Sequence, residues 1–140
     1  MKMKDRKTMT TKAIIGNIEA ITAFVDRALK AENCPARPLM QLHIAIDEIV
    51  SNISRYAYSS GAGDVTVLID FDEESRTVIL KFTDEGVPFD PTQAADPDLT
   101  LPVEKRKAGG LGIFLVRRIM DDVRYHRENG KNVLTIRKKI

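Results

Sequence analysis

This sequence has little of what marks secreted or membrane-spanning proteins, and it has almost no excess of charge of either sign. A single cysteine, Cys34, excludes an internal disulfide framework and is typical of a reducing compartment. No apolar run approaches the length of a membrane span, and residues 1–11 are too polar for the core of a secretory signal. The 22 basic and 20 acidic residues almost balance, so the overall charge gives no reason to expect nucleic-acid binding. We therefore expect a cytoplasmic protein without membrane contact or direct nucleic-acid contact.

Residues suited to a zinc site are also scarce. The two histidines, His43 and His126, and the single cysteine do not have the spacing of zinc ligands. With 140 residues, 43% of them hydrophobic, the chain has the size and the apolar content of one domain with its own core. We expect a single domain over residues 1–140.

Apolar residues at helical spacing predict two helices in the first part of the chain. The first begins near Ile14 with Thr10 or Thr11 as its N-cap, and the proline-containing segment 33–38 separates it from the second. The apolar stripe of the first helix comprises Ile14, Ile18, Ile21, Val25 and Ala28. The stripe of the second comprises Leu42, Ile46, Ile49, Ile53 and Tyr56. Each stripe is expected to pack against a common core.

Alternating apolar residues predict two antiparallel hairpins. Their strands comprise residues 65–71 with 78–82, and residues 123–126 with 133–137. Asn129-Gly130 is a strong signal for the second turn, and a short edge strand near residues 7–10 and a short helix over 113–120 complete the pattern. This order predicts an α+β fold, a two-layer α/β sandwich with the helices on one face of a mostly antiparallel mixed sheet.

Asp84 is a carboxylate in an apolar pattern. It continues the alternation that starts at Val78, so its side chain is expected on the apolar face, where a charge needs hydrogen-bond donors. Gly86, two residues later, allows close approach of the backbone or of a planar ligand. The alternative is that residues 84–86 only turn the chain at the end of a strand.

Glu48 and Asn52 lie four residues apart on the second predicted helix, and therefore on one stripe that flanks the apolar face. A carboxylate can accept a proton, and an amide oxygen can hold a hard cation such as Mg²⁺. The alternative is that both residues only solvate an exposed helix face, together with Asp47 and Arg55.

A glycine-rich turn precedes the predicted helix over 113–120 and comprises Gly109, Gly110, Leu111 and Gly112. The first N–H groups of a helix carry partial positive charge and make an anion site. Lys105 and Arg106 supply cations just before this turn, within a long proline-rich segment of a kind that is often functional. A flexible loop end followed by a helix is the alternative.

Together these segments resemble the ATP-binding domain of the GHKL superfamily, which includes gyrase, chaperone and histidine kinase ATPases, and in particular the small bacterial anti-sigma factor serine/threonine kinases. The N box is matched by residues 48–52, the G1 box by residues 84–91 and the G2 box by residues 109–113. The similarity runs from about the first helix to the end of the chain. It implies the Bergerat-type ATP-binding fold.

The resemblance implies a role for each matched residue. Asn52 would hold Mg²⁺, Asp84 would accept a hydrogen bond from the amino group of adenine, and Gly86 would make room for the base. Glu48 would be the general base, and residues from about 89 to 109 would form a lid over ATP. The residues assigned to ATP binding in this way are Asn52, Asp84, Gly86, Pro88, Lys105, Arg106, Gly109, Gly110, Leu111 and Gly112.

Two positions depart from the pattern of many superfamily members. Pro88 stands where many of them have a second glycine, although a proline followed by Phe-Asp-Pro is similar to the anti-sigma kinases. Many members also place a threonine on the last strands near adenine. Thr135 is the available threonine, but it points away from the core if Leu134 and Ile136 face it, so we do not assign it to the site.

The resemblance implies a kinase that uses ATP and Mg²⁺, phosphorylates an anti-anti-sigma protein, sequesters a sigma factor and forms a homodimer. The alternative is a nucleotide-gated binding module that holds its partner without transferring phosphate. A sensor histidine kinase is poorly supported, because neither His43 nor His126 lies in a separate dimerisation hairpin.

Overall fold

The structure is a computed structural model, and it describes residues 3–4, 6–58, 63–93, 100 and 110–140. The described chain has five strands and three α-helices: β1 (Lys7–Lys12), α1 (Ile18–Ala31), α2 (Ala36–Tyr56), β2 (Asp64–Asp72), β3 (Thr77–Asp84), α3 (Gly110–Ile119), β4 (Asp122–Glu128) and β5 (Lys131–Lys139). Short 3-10 turns lie at Ile15–Asn17 and Pro91–Gln93. Both predicted hairpins and both long helices are present.

The five strands form one sheet in the order β1-β2-β3-β5-β4, and every pairing between them is antiparallel. β5 comes last in the chain but lies between β3 and β4. Its turn to β4 has positive φ at both central residues, 50° at Asn129 and 75° at Gly130, which matches the twist of a tight hairpin. This register places Asp84 of β3 directly opposite Asn132 of β5.

The three helices cover one face of the sheet, and this arrangement confirms the predicted α+β sandwich. Alternate strand residues and one stripe of each helix form a single hydrophobic cluster. Its fully buried large side chains include Ile21, Leu29, Leu42, Ile46, Ile49, Val65, Val67, Leu80, Phe82 and Ile136. Burying side chains of this size contributes about 1.5–3 kcal/mol each, so the core fixes α2 firmly against the sheet.

The predicted start of the first helix is wrong. Thr10 and Thr11 are part of β1, which continues to Lys12, and α1 begins only at Ile18 after the 3-10 turn. Asn17, which precedes the helix, makes no capping bond and donates its side-chain amide to Thr11 Oγ1 (3.1 Å) and to the Lys12 carbonyl (3.0 Å). The edge strand therefore uses residues that the helical pattern had claimed.

The third helix also begins earlier than expected, at Gly110 rather than near residue 113, so the glycine-rich segment forms its first turn. α2 begins at Ala36, and Pro38 is accommodated because the first turn of a helix needs no N–H donors. Two residues of the predicted apolar stripes are exposed, Ile14 (40%) and Tyr56 (36%), because each lies at or beyond a helix end. No helix in the described ranges is both long and apolar enough to cross a membrane.

Candidate functional site

A pocket lies between α2 and the ends of β3 and β5. Its apolar lining comprises Ile49, Ile53, Ala57, Phe82, Phe89, Pro91, Ile113 and Leu134. Its polar lining comprises Asn52, Asp84, Tyr125 and Asn132. A concave, mostly apolar pocket with a few convergent polar groups is the usual form of a small-molecule site. The N box and the G1 box therefore both line one pocket. The G2 box contributes its last residue, Ile113, to the same lining.

Asp84 is 5% exposed and lies in this pocket, as its place in the apolar alternation predicted. Its Oδ1 atom accepts two hydrogen bonds, from the backbone N–H of Gly86 (2.9 Å) and from Nδ2 of Asn132 (2.9 Å). Its Oδ2 atom accepts none from the described residues. The hydrogen bond from Gly86 also closes a turn at the strand end. Asp84 therefore combines both alternatives, a turn residue and a carboxylate in the pocket. One oxygen stabilises the turn, and the other is available to a ligand.

Gly86 is required by close packing against the end of α2. A Cβ atom at this position would overlap the backbone carbonyl oxygen of Ala57. The same carbonyl accepts a hydrogen bond from the N–H of Val87 (2.8 Å), which ties the strand end to the helix end. The role that the resemblance implies for this glycine, making room for the base, stays a prediction beside this packing role.

Asn52 and Glu48 face the site side of α2. Asn52 is only 7% exposed, so the alternative in which it merely solvates the helix does not hold. Within the described part of the chain its amide makes no hydrogen bond, which leaves the oxygen available as a ligand. Asp47 and Arg55, by contrast, are exposed. α2 therefore presents the Asn52 amide to the pocket and the charged groups of Asp47 and Arg55 to solvent.

Gly112 lies against the side chain of Glu48. A Cβ atom at position 112 would overlap Glu48 Oε2, so a residue larger than glycine would require the Glu48 carboxylate to move from its present position. Glu48 is half-buried and its carboxylate lies beside the first turn of α3. Free backbone N–H groups in that turn favour negative charge. The structure thus brings Glu48 and the G2 box together.

Three residues of the β4–β5 hairpin belong to the site but were not found in the sequence: Tyr125, Arg127 and Asn132. Asn132 is 5% exposed and carries much of the polar network of the pocket. Arg127 Nη1 donates to the Gly86 carbonyl (2.8 Å) and to Asn132 Oδ1 (3.1 Å). Asn132 is in phase with Leu134 and Ile136, so the same signal that marked Asp84, a polar residue in an apolar alternation, was available for it.

Tyr58 supports the end of the G1 strand from outside the pocket. Its hydroxyl donates to the Asp64 carbonyl (2.6 Å) and accepts from the N–H of Glu85 (2.9 Å). Burial raises the pKa of the Tyr58 hydroxyl above its ordinary value, and the nearby carboxylate of Asp84 adds to this shift, whereas the bond from Glu85 opposes it. The phenol therefore stays neutral and can keep donating throughout the physiological range.

Several predicted residues are not brought to the pocket. Pro88 is exposed and does not line it. Thr135, which we did not assign to the site, pairs with Lys81 and Arg124 on the opposite face of the sheet, as expected. Lys105, Arg106 and Gly109, and most of the predicted lid (94–99 and 101–109), lie outside the described residues. Gly110 and Leu111 are in the first turn of α3.

Residues 12–138 match the protein family described as the histidine kinase-like ATPase domain. The chain belongs to this family. The match includes all three motifs and confirms the resemblance that they indicated. The family assignment is consistent with the pocket, because the boxes that define the resemblance meet at one end of the sheet.

Curated proteins of the same kind support the family assignment. The serine/threonine-protein kinase BtrW of Bordetella bronchiseptica is 33% identical over 101 residues, which are 72% of this chain and 70% of BtrW. The serine-protein kinase RsbW of Bacillus cereus is 31% identical over 97 residues, which are 66% of this chain and 59% of RsbW. RsbW of Bacillus mycoides is 30% identical over 97 residues. The match thus spans less than two thirds of the length of the RsbW relatives.

Proposed function

We propose that this chain is an ATP- and Mg²⁺-dependent serine/threonine protein kinase that phosphorylates an anti-anti-sigma protein. In this proposal it holds a sigma factor when that substrate is not available. The observation that carries the proposal is the convergence of Asp84, Asn52 and Glu48 on one pocket and its rim. The names of the relatives, which are serine or serine/threonine kinases, support phosphotransfer as the reaction.

The apolar part of the pocket suits the purine of ATP. Phe82, Ile49 and Leu134 line it with flat or branched apolar surface. Asp84 stands at the edge of this surface with Oδ2 as an acceptor that no described donor occupies. We propose that Oδ2 accepts a hydrogen bond from the exocyclic amine of adenine. This acceptor fits the ligand, because a carboxylate oxygen that faces a mostly apolar pocket is stabilised by an N–H donor.

Asn52 and the first turn of α3 suit the phosphates and Mg²⁺. We propose that the amide oxygen of Asn52 is a metal ligand and that the N–H groups of residues 110–112 donate to phosphate oxygens. When bound, Mg²⁺ neutralises phosphate charge and orients the phosphoryl group. We propose that Lys105 and Arg106 supply additional positive charge to the phosphates.

Glu48 is proposed as the general base. Its carboxylate lies beside the first turn of α3, next to the proposed phosphate site, and makes no ion pair with a described residue. From there it would accept the proton of the attacking serine or threonine hydroxyl. Removing a general base typically costs about 10²–10⁴ in rate. The rest of the catalysis of phosphoryl transfer depends mainly on positioning and charge stabilisation.

The experiment measures transfer of labelled phosphate from ATP to a candidate anti-anti-sigma protein, and ATP affinity by calorimetry. Glu48→Gln is expected to lose transfer while keeping ATP affinity, because only the base is removed. Asp84→Asn is expected to lose ATP affinity, because its amide presents a donor to the amine of adenine. Asp47→Asn is the matched control, since Asp47 is the exposed neighbour of Glu48 on the same helix.

The outcomes separate the two candidate functions. Undiminished transfer by Glu48→Gln would contradict the role of Glu48. A wild-type chain that binds ATP but phosphorylates no acceptor would instead support the nucleotide-gated binding module. Absence of ATP binding by the wild-type chain would refute both.

The partners of this activity are also proposals. Retention of an anti-anti-sigma protein and a sigma factor in a pull-down from native lysate is expected. We propose a homodimer as well, to be measured by light scattering after gel filtration. β1 is an edge strand that pairs only with β2 among the described strands, so it is one surface to test by substitution.

A further inference from the structure

Asn132 lies in register with Asp84 and on the same side of the sheet. Its side-chain amide makes five hydrogen bonds to the surroundings of the pocket. No motif in the sequence assigns a role to it. Its donor bonds and its acceptor bonds go to different parts of the site.

The Nδ2 atom of Asn132 donates to Asp84 Oδ1 (2.9 Å) and to the carbonyl of Val87 (2.8 Å). Both amide hydrogens are thereby used. Asp84 Oδ1 also receives the N–H of Gly86, so this oxygen is saturated and the carboxylate is held in one rotation. The result is that Oδ2 alone is presented to the pocket.

The Oδ1 atom of Asn132 accepts from Tyr125 Oη (2.5 Å), Arg127 Nη1 (3.1 Å) and the N–H of Phe89 (3.3 Å). Three donors around one atom fix the orientation of the amide, since a flipped amide would present its NH₂ group to them. The bond to Phe89 also holds the backbone of a residue whose ring lines the pocket and packs on Tyr56, with ring centroids 5.3 Å apart.

We propose that Asn132 is a positioning residue that sets the preference of the pocket for a 6-aminopurine, by holding Asp84 in one orientation and Phe89 at the pocket wall. This inference rests on the proposed binding of ATP. A fixed carboxylate oxygen accepts a hydrogen bond from a 6-amino group. It repels a 6-oxo group, because both oxygens are acceptors and neither offers a proton. A carboxylate that rotates or recruits water discriminates less.

The test compares the dissociation constants of ATP and ITP, which differ at the 6-position of the purine, by calorimetry. Asn132→Ala removes both sets of bonds, and Tyr125→Phe removes one donor and keeps the amide. We expect the preference for ATP over ITP to fall by about tenfold or more in Asn132→Ala and by less in Tyr125→Phe. Thr135→Val, on the opposite face of β5, is the control and should keep the wild-type ratio.

Asn132→Asp adds a pH profile that a merely structural role would not give. The new carboxylate keeps the acceptor for Tyr125, Arg127 and Phe89 but faces Asp84 without a proton between them. Two adjacent carboxylates share one proton as the pH falls, and that proton restores the bond to Asp84. ATP affinity in this variant should therefore be weak at about pH 8 and recover toward about pH 6, relative to wild type at each pH.

Circular dichroism on each variant establishes that it is folded before binding is compared. Equal losses of ATP and ITP affinity in Asn132→Ala, or an Asn132→Asp profile parallel to wild type, would overturn the inference and leave ATP binding intact. If Asn132→Ala does not fold, an unchanged ATP/ITP ratio in Tyr125→Phe overturns it. A wild-type chain that binds neither nucleotide would overturn the proposed function and this inference together.

Discussion

Replacing Gly112 by alanine should separate stability from activity, because the added methyl group meets only the end of a flexible side chain. The new Cβ would lie 2.9 Å from Glu48 Cδ, whereas carbon atoms in ordinary contact are about 3.5–4.0 Å apart. The carboxylate of Glu48 therefore has to move by about 1 Å, which its side-chain torsions allow at a cost of about 0.5–1.5 kcal/mol. Alanine in a helix is favoured over glycine by about 1 kcal/mol, so the two effects nearly cancel.

The expected result is an unchanged fold with a slow reaction. The midpoint of thermal unfolding should stay within about 4 °C of wild type, since about 1 kcal/mol shifts a domain of this size by roughly that much. The rate constant of phosphotransfer should fall by about 10²-fold, the usual effect of misplacing a reacting group by about 1 Å. Circular dichroism and labelled ATP with the acceptor protein measure the two quantities.

Gly16→Ala provides the matched control, because a Cβ atom at that position meets nothing within 4 Å. It should leave both the unfolding midpoint and the transfer rate close to wild type. A Gly112→Ala variant with the wild-type transfer rate would refute the claim that phosphotransfer depends on the position of the Glu48 carboxylate. A loss of more than about 3 kcal/mol in the free energy of unfolding would show that Glu48 cannot move aside, as overpacking costs that much only where neighbours are rigid.

Three further results are expected. Gly86→Ala should lower the free energy of unfolding by about 1–3 kcal/mol in urea titrations, because its methyl group meets the backbone of Ala57, and an unchanged midpoint would contradict this. Asn52→Ala should weaken nucleotide binding more with Mg²⁺ than without it, and equal losses would remove Asn52 as a metal ligand. Alkylation of Cys34 should be slower at about pH 8 than that of an unstructured cysteine, because burial raises the pKa of its thiol and keeps it protonated. An alkylation rate equal to that of a peptide thiol would contradict the last expectation.

The site on β3 could be predicted from sequence because a single residue broke a clear pattern. Asp84 stands in an apolar alternation, and its burial and place in the pocket followed from the period of a strand. Asn132 breaks the alternation of β5 in the same way, but it comes two residues after the turn at Gly130, where polar residues are usual. Thr135, the threonine that the family pattern indicates in this strand, faces the other way.

Helix boundaries were harder to predict than helices, and the reasons are local. The apolar stripe of α1 could be followed back to Ile14, but pairing of β1 with β2 extends the strand to Lys12 and delays the helix. The helical state of Gly110 and Gly112 could not be expected from propensity, which disfavours glycine in helices. The structure adds a tertiary contact, the approach of α3 to Glu48, that no local pattern encodes.

The position of β5 in the sheet has a consequence for synthesis of the protein. β3 and β4 are both made before their shared neighbour, so neither can complete its pairing while β5 is still inside the ribosome. A nascent chain that has already exposed the other four strands therefore lacks the wall that carries Asn132 and cannot yet bind nucleotide as proposed. Until β5 emerges, β3 keeps one unpaired edge and β4 has no partner among the described strands, and exposed edges of this kind are prone to aggregation.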